Sequence, residues 1–295
     1  MRVLETKAEL RAALAASRRE ARNIGLVPTM GYLHDGHVSL LESARAECDV
    51  VVMSLFVNPA QFGADEDLER YPRDLECDVA TAEAAGVDLI YAPSVDEMYS
   101  DGFSTTVAVD GLTDVLCGDP ASRGPEHFRG VATVVAKLFN IVGPDVAYFG
   151  QKDAQQAVVI TRMARDLDFP VRIEVLPIVR EPDGLALSSR NAYLDGEQRE
   201  RAAALSRALE AAAEIAAVGA PTRSALDAAR SVLADARIRP EYLEARDAEL
   251  LHPIETFNCR PVVLALAARL GETRLIDNVV VDPSKPEDPN HSERN

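Results

Sequence analysis

The first half of the chain alternates short apolar runs with helical patterns, and few folds accommodate that alternation. Ile24 to Met30 is a short apolar run that ends in Pro28-Thr29-Met30-Gly31, as a strand entering a turn does. From Val38 the apolar positions Val38, Leu40, Leu41, Ala44 and Cys48 recur at helical spacing. Asp49 to Val57 is β-branched and nearly uninterrupted, the pattern of a strand buried on both faces of a parallel sheet. Leu75 to Ala85 reads as a helix closed by Gly86, and Val87 to Tyr91 as the next strand. Gly130 to Val142 follows as a helix stopped at Gly143-Pro144, then Val146 to Phe149 as a strand, Ala154 to Leu167 as a helix and Val171 to Val179 as a strand. Strands separated by helices of this length imply right-handed βαβ units, hence a Rossmann-like, doubly wound parallel α/β sheet.

The pattern changes near Arg180. Glu197 to Val218 reads as one long Ala-rich helix and Arg223 to Ala236 as another, with strands expected at Glu241 to Ala248 and Pro261 to Ala267. The expected organisation is therefore a Rossmann-like domain over residues 1–179 and a smaller α+β C-terminal domain over 180–281. The tail over 282–295, rich in Pro, Glu, Asp, Ser and Asn, is expected to be disordered.

Composition excludes several function classes. A formal net charge of −17, with no basic run longer than Arg18-Arg19, argues against nucleic acid as a partner. No stretch reaches the roughly 20 apolar residues that cross a bilayer. Met1-Arg2-Val3-Leu4-Glu5 lacks a signal-peptide pattern, so a cytoplasmic location is expected. Cys48, Cys77, Cys117 and Cys259 are scattered and read as incidental thiols, not disulfides or zinc ligands.

Three turns carry the chemistry. Pro28 to His37 leaves the first sheet strand and feeds a helix, whose N-terminal N–H groups and partial positive charge attract phosphate. His34 and His37, with Gly36 between, can both face that phosphate while the glycine lets the backbone approach closely. Capping histidines or metal ligands are the alternatives, although no third ligand lies nearby in sequence. Phe149-Gly150-Gln151-Lys152-Asp153 ends a strand, so Lys152 points to where phosphates would lie, while Asp153 suits the N-cap of the next helix. Leu187-Ser188-Ser189-Arg190-Asn191, after Arg180-Glu181-Pro182-Asp183-Gly184, offers hydroxyls and an arginine fork as a further clamp, or else a Ser-rich cap.

Amides complete the set. Asn58 and Gln61 leave a strand end in Phe56-Val57-Asn58-Pro59-Ala60-Gln61-Phe62, and Gln155-Gln156 open the helix after Lys152. Uncharged amides suit a small polar acid that carries hydroxyls. His127 either lines the same cleft or caps the following helix. The acidic stretch Asp65-Glu66-Asp67-Glu69 reads as a solvated loop, with Mg²⁺ binding as the lesser alternative.

The HxGH turn with the Ser-Ser-Arg turn resembles the paired signatures of class I aminoacyl-tRNA synthetases and related nucleotidylyltransferases. PTMGYLHDGH, FVNPAQF, YPR, FRGVATVVAKLFNIVGPDVAYFGQKDAQQ, REPDGLALSSRNAYL and RLIDN together resemble the pantothenate synthetase family, over residues 28 to 278. That resemblance implies condensation of pantoate with β-alanine using ATP and Mg²⁺, through a pantoyl adenylate, with release of AMP and pyrophosphate. It assigns nucleotide binding to Met30, Gly31, Tyr32, Leu33, His34, Asp35, Gly36 and His37, to Gly150, Gln151, Lys152 and Asp153, and to Val179, Leu187, Ser188, Ser189 and Arg190. His34, His37, Lys152 and Arg190 become the catalytic set, and His37 the donor to the departing pyrophosphate. Gln61, Gln156 and Asn58 would bind pantoate, and Gln61 would also border β-alanine. The resemblance further implies a cytoplasmic homodimer whose C-terminal domain acts as a lid. Position 187 is often Met in this family, and Leu there is expected to be neutral because the volumes match. A different adenylyltransferase of the same fold would be shorter, without the C-terminal domain or the FVNPAQF and KDAQQ segments, and a nucleotide sensor without catalysis would have no need of His34, His37, Lys152 and Arg190 together.

Overall fold

The computed structural model describes residues 1–63, 66–257 and 260–282. Asp65, Cys259 and the expected disordered tail beyond Asp282 lie outside the described residues. The chain divides into two compact units. One holds Met1–Val179 together with Leu187–Ser189, and the other holds Arg180–Ala186 and the chain from Arg190 on.

The first unit runs β1 (Arg2–Leu4), α1 (Lys7–Arg19), β2 (Ile24–Thr29), α2 (Asp35–Glu47), β3 (Val50–Leu55) and α3 (Leu75–Ala84). It continues β4 (Leu89–Tyr91), α4 (Val95–Met98), α5 (Pro125–Val142), β5 (Val146–Gly150), α6 (Ala154–Asp166) and β6 (Arg172–Leu176). The six strands form one parallel sheet in the order β1-β4-β3-β2-β5-β6. This is the expected doubly wound architecture. Residues 50–54 of β3 are all buried, as the unbroken apolar run requires.

Strand order locates the site. From β2 the chain steps outward to β3, whereas β5 lies on the opposite side of β2 and leads on to β6. The order reverses between β2 and β5, with Gly25 beside Val146 and Leu26 beside Ala147. In open α/β sheets ligands bind beyond the carboxyl ends of the strands at such a switch point. The turn after Thr29 and the turn after Gly150 leave the sheet there.

α5 starts at Pro125, five residues before the expected start at Gly130. The signal for the earlier start is Gly124-Pro125. Gly124 stands at the N-cap with φ 82°, and proline is preorganised for the first helical position. Gly143 ends the helix in the left-handed conformation, as its sequence context suggests.

The second unit contains α7 (Gly196–Ala202), α8 (Ala204–Ala217), α9 (Thr222–Asp235), β7 (Pro240–Asp247), β8 (Val262–Leu270) and β9 (Thr273–Val281). Its sheet is antiparallel in the order β7-β8-β9, giving the smaller α+β part of the fold. The expected single helix over Glu197 to Val218 is two helices that break at Ala203, and β9 has no counterpart among the expected strands. β9 carries Arg274, Asp277 and Asn278, so its hydrophobic alternation is interrupted. Ala204, Ala208, Ala212 and Ala216 of α8 repeat every four residues on one face and are buried in the same core as Leu264 and Leu266 of β8. Arg180 makes a bidentate pair with the carboxylate of Asp277 at 2.7 and 3.0 Å, and Asp277 is almost wholly buried. The RLIDN and REPDG segments therefore meet inside this unit.

Candidate active site

The turn between β2 and α2 is built around two left-handed residues, Gly31 (φ 86°) and Tyr32 (φ 55°). A tyrosine in that conformation costs on the order of 1–2 kcal/mol. The buried carboxylate of Asp78 on α3 offsets it by accepting from the N–H of Tyr32 at 2.9 Å and of Leu33 at 2.7 Å. Hydrogen bonds to a charged acceptor contribute roughly 1.5–3 kcal/mol each. Gly31 admits no side chain, because a Cβ there would stand 2.8 Å from both Asp78 Oδ2 and Leu55 Cδ1.

His34 is the N-cap of α2, with extended backbone. Its Nδ1 accepts from the N–H of Gly36 at 3.1 Å, and Nδ1 of His37 accepts from the N–H of His34 at 3.3 Å. The ring centroids lie 4.1 Å apart. A backbone N–H can only donate, so both Nδ1 atoms are unprotonated and each neutral ring carries its proton on Nε2. Burial holds the pKa of His34 down to about 4, helped by the Lys152 charge. Burial lowers His37 to about 3, assisted by His34 and then Lys152. At neutral pH both rings are hydrogen-bond donors through Nε2 and carry no charge.

This corrects one expectation about the turn. The sequence points to backbone N–H groups at the start of α2 as the phosphate ligands, yet those of Tyr32, Leu33, Gly36 and His37 are engaged inside the protein. Among the described residues the donors left at this helix end are the Asp35 N–H and the two imidazole Nε2–H groups.

Lys152 lies in the short turn Gln151–Asp153 that follows β5, and its charge acts on both histidines. The strand pairing thus brings the HxGH turn and the lysine turn to one edge of the sheet. Asp153 stands at the N-cap of α6 but makes no capping hydrogen bond, contrary to the sequence expectation, and its side chain is exposed.

The amides separate into two kinds. Asn58 is buried, and its Nδ2 donates to Gln61 Oε1 at 3.0 Å and to the Gly130 carbonyl at 3.2 Å. Its Oδ1 accepts from the Ala60 N–H at 3.3 Å and the Tyr99 hydroxyl at 2.7 Å. Fully engaged, this amide supports Gln61. Gln61 accepts at Oε1, so its Nε2 is the donor side, with one contact to Met30 Sδ at 3.2 Å. Gln155 is likewise consumed internally, holding the Leu112 and Val115 carbonyls and the Cys117 N–H. Gln156, half-buried, makes no side-chain hydrogen bond among the described residues.

His127 also supports Gln61. Its Nδ1 donates to the Gln61 carbonyl at 2.7 Å while Nε2 accepts from Arg123 at 3.1 Å. Arg123 is paired with Glu66, Nε to Oε1 at 2.7 Å. Burial, with Arg123 second, lowers the His127 pKa to about 4. Gly130 completes the support, because a Cβ there would run into the Ala60 carbonyl and stand 2.7 Å from the Gln61 nitrogen.

Val179 and Leu187 are joined by a hydrogen bond, Leu187 N–H to the Val179 carbonyl at 3.0 Å. They belong to the first unit with Ser188 and Ser189, whereas Arg190 belongs to the second. Cys48 and Cys117 are buried and Cys77 is exposed; none takes part in the site. Among the described residues no helix is long and apolar enough to cross a membrane. Asp78, Tyr99 and Arg123 are additions to the sequence-derived set. Asp78 is hidden in the sequence among the acidic residues that open α3, and only its burial distinguishes it.

Comparison with known proteins identifies the family. The family model for pantoate-beta-alanine ligase matches residues 2–280. Pantothenate synthetase from Moorella thermoacetica is 56% identical over 286 residues, covering 96% of this chain and 99% of that protein. The crystal structure of pantothenate synthetase from Thermus thermophilus superposes with a TM-score of 0.89 at 50% identity, covering 96% of this chain and 100% of that one. Pantoate-beta-alanine ligase from Francisella tularensis, solved in complex with beta-gamma ATP and beta-alanine, matches with a TM-score of 0.79 at 31% identity over 97% of this chain and 100% of that one. Matched along almost its whole length by the family model, the sequence relatives and the fold, the chain is an enzyme that belongs to the pantoate–β-alanine ligase family.

Proposed function

We propose that this ligase activates pantoate with ATP as pantoyl adenylate and then transfers the pantoyl group to β-alanine, releasing pyrophosphate and AMP. The observation that carries the reading is the pair of Nε2–H donors of His34 and His37, electrostatically coupled to Lys152 at the switch point of the sheet. The Francisella relative, solved in complex with beta-gamma ATP and beta-alanine, supports ATP and β-alanine as two of the substrates.

In the first step a pantoate carboxylate oxygen attacks the α-phosphorus, and the bond to the bridging oxygen of pyrophosphate breaks. A carboxylate is ionised at neutral pH and needs no base. The site therefore has to position reactants and stabilise charge, which imidazole donors and a lysine do. Neutral His37 donates a hydrogen bond to the departing pyrophosphate and keeps its proton. Lys152 balances charge at the α-phosphate. Gln61 Nε2 and the amide of Gln156 bind pantoate oxygens, and Gln61 borders β-alanine, with Asn58 holding Gln61 in place. In the second step the neutral amine of β-alanine attacks the acyl carbon, the C–O bond to the adenylate breaks, AMP leaves with the former carboxylate oxygen, and the amine proton passes to solvent.

Met30 to His37, Gly150 to Asp153, Val179 and Leu187 line the nucleotide, and Ser188 and Ser189 donate to its phosphates. Mg²⁺ accompanies ATP in this reading and would neutralise phosphate charge. Among the described residues no cluster of three or more His, Cys, Asp or Glu side chains forms a metal cage. The cytoplasmic location and the homodimer are carried over from the family. Pyrophosphate release assayed with each substrate omitted tests the proposal. Release must require pantoate, and AMP formation must require β-alanine; ATP turnover indifferent to pantoate overturns it.

A further inference from the structure

The carboxylate of Asp78 reaches the proposed phosphate site from behind, gripping the two backbone groups that immediately precede His34. It is buried, and its oxygens separately accept the N–H groups of Tyr32 and Leu33. The next N–H along the chain, that of His34, donates to His37 Nδ1, and the His34 imidazole in turn caps Gly36. Anchoring Leu33 therefore sets the direction of the bond that keeps His37 in its Nε2–H form.

Two further facts tie Asp78 to this turn. Gly31 packs so closely that a Cβ would stand 2.8 Å from Asp78 Oδ2. Tyr32 adopts a left-handed conformation that a non-glycine residue holds only when its surroundings impose it. A carboxylate serves here because it accepts at both oxygens, whereas an asparagine amide would turn a donor toward one of the N–H groups.

We infer that Asp78 is a positioning residue for the adenylation step, fixing the tautomers of His34 and His37 from behind the turn. The inference rests on the adenylate-forming reading for its kinetic test, and its spectroscopic test is independent of that reading.

The experiment compares Asp78→Asn with the parent enzyme in three measurements: pantoate-dependent pyrophosphate release, conversion of preformed pantoyl adenylate by β-alanine, and ¹⁵N spectra of the histidines near neutral pH. The expected result is a fall of roughly tenfold or more in the kcat of adenylate formation, with the β-alanine step within about threefold of the parent. His34 and His37 are expected as single Nε2–H tautomers in the parent and as mixtures in the variant. If Asp78→Asn does not fold, replacing the Leu33 N–H with an ester oxygen removes one bond and leaves Asp78 in place, with the same expectations. Unchanged tautomers, or equal losses in both half-reactions, would overturn the inference. A parent enzyme without pantoate-dependent pyrophosphate release would instead overturn the adenylate reading, and the ¹⁵N spectra would still decide the role of Asp78.

Discussion

The backbone N–H of Gly36 donates to Nδ1 of His34 at 3.1 Å, and this bond decides which nitrogen keeps the proton. The same logic one bond further on, from the His34 N–H to Nδ1 of His37, turns a two-histidine turn into a pair of aligned neutral donors. Protonation of either ring at Nδ1 would break the bond that holds it.

That relationship fixes a pH dependence. His34, His37 and His127 are held near pKa 4, 3 and 4, below the unfolded value of about 6.5, with burial the largest cause in each. Between those values and about 6.5 the unfolded chain binds protons that the folded chain refuses. Stability from these groups is therefore complete above about 6.5 and lost as pH falls toward about 4 for His34 and His127 and about 3 for His37. For buried His127 the slope is at most ~1.4 kcal/mol per pH unit. Urea midpoints are expected to be level from about pH 7 to 8 and to drop below about 6.5, less steeply in His127→Gln. Adenylate formation is expected to show no histidine-controlled loss between about pH 7 and 9; a fall with a midpoint near about 6.5–7 would mean that an imidazolium is required.

Lys152→Ala removes the cation that both histidines sense. Adenylate formation is expected to fall by about two or more orders of magnitude, since a charge stabiliser of this kind contributes roughly 3–4 kcal/mol to a transition state. Preformed pantoyl adenylate should still react with β-alanine at near-parental rate. Single-turnover assays of each half-reaction check this, and equal losses would make Lys152 a general binding residue.

Gly130→Ala tests the support beneath Gln61. A methyl group there meets the Ala60 backbone, which cannot move as a side-chain end would. Overpacking costs about 1–3 kcal/mol, so the melting temperature should fall by several degrees. The KM for pantoate should rise with little change in the KM for ATP.

In the second unit, Arg180→Ala leaves the buried Asp277 without its bidentate partner. Removing one member of a buried pair costs on the order of 3–5 kcal/mol. Arg180→Ala is expected to lower the unfolding midpoint far more than Arg199→Ala, whose pairs with Glu181 and Asp183 are more exposed. Equal effects in chemical denaturation would contradict the assignment.

The sheet is legible in the sequence because β2, β3 and β5 are apolar runs whose burial needs no long-range information. β9 is not, since Arg274, Asp277 and Asn278 interrupt its pattern and their polar groups are satisfied only in the folded unit. For the candidate site, sequence position nominates His34, His37, Lys152 and Gln61, because each follows a strand end. It does not separate Asn58 and Gln155, consumed by internal hydrogen bonds, from Gln156, which is not. Nor does it show that the N–H groups of Tyr32 and Leu33 are occupied, because their acceptor, Asp78, lies on another helix and only the tertiary fold brings it there.

The most direct test of the chemistry is transfer of oxygen from pantoate to AMP. Pantoate labelled with ¹⁸O in its carboxylate is incubated with ATP, Mg²⁺, β-alanine and the enzyme, and the products are weighed by mass spectrometry. Attack of the carboxylate on the α-phosphorus, followed by acyl transfer, is expected to deliver one labelled oxygen to each AMP and none to pyrophosphate. Unlabelled AMP, or label in inorganic phosphate, would contradict an adenylate intermediate.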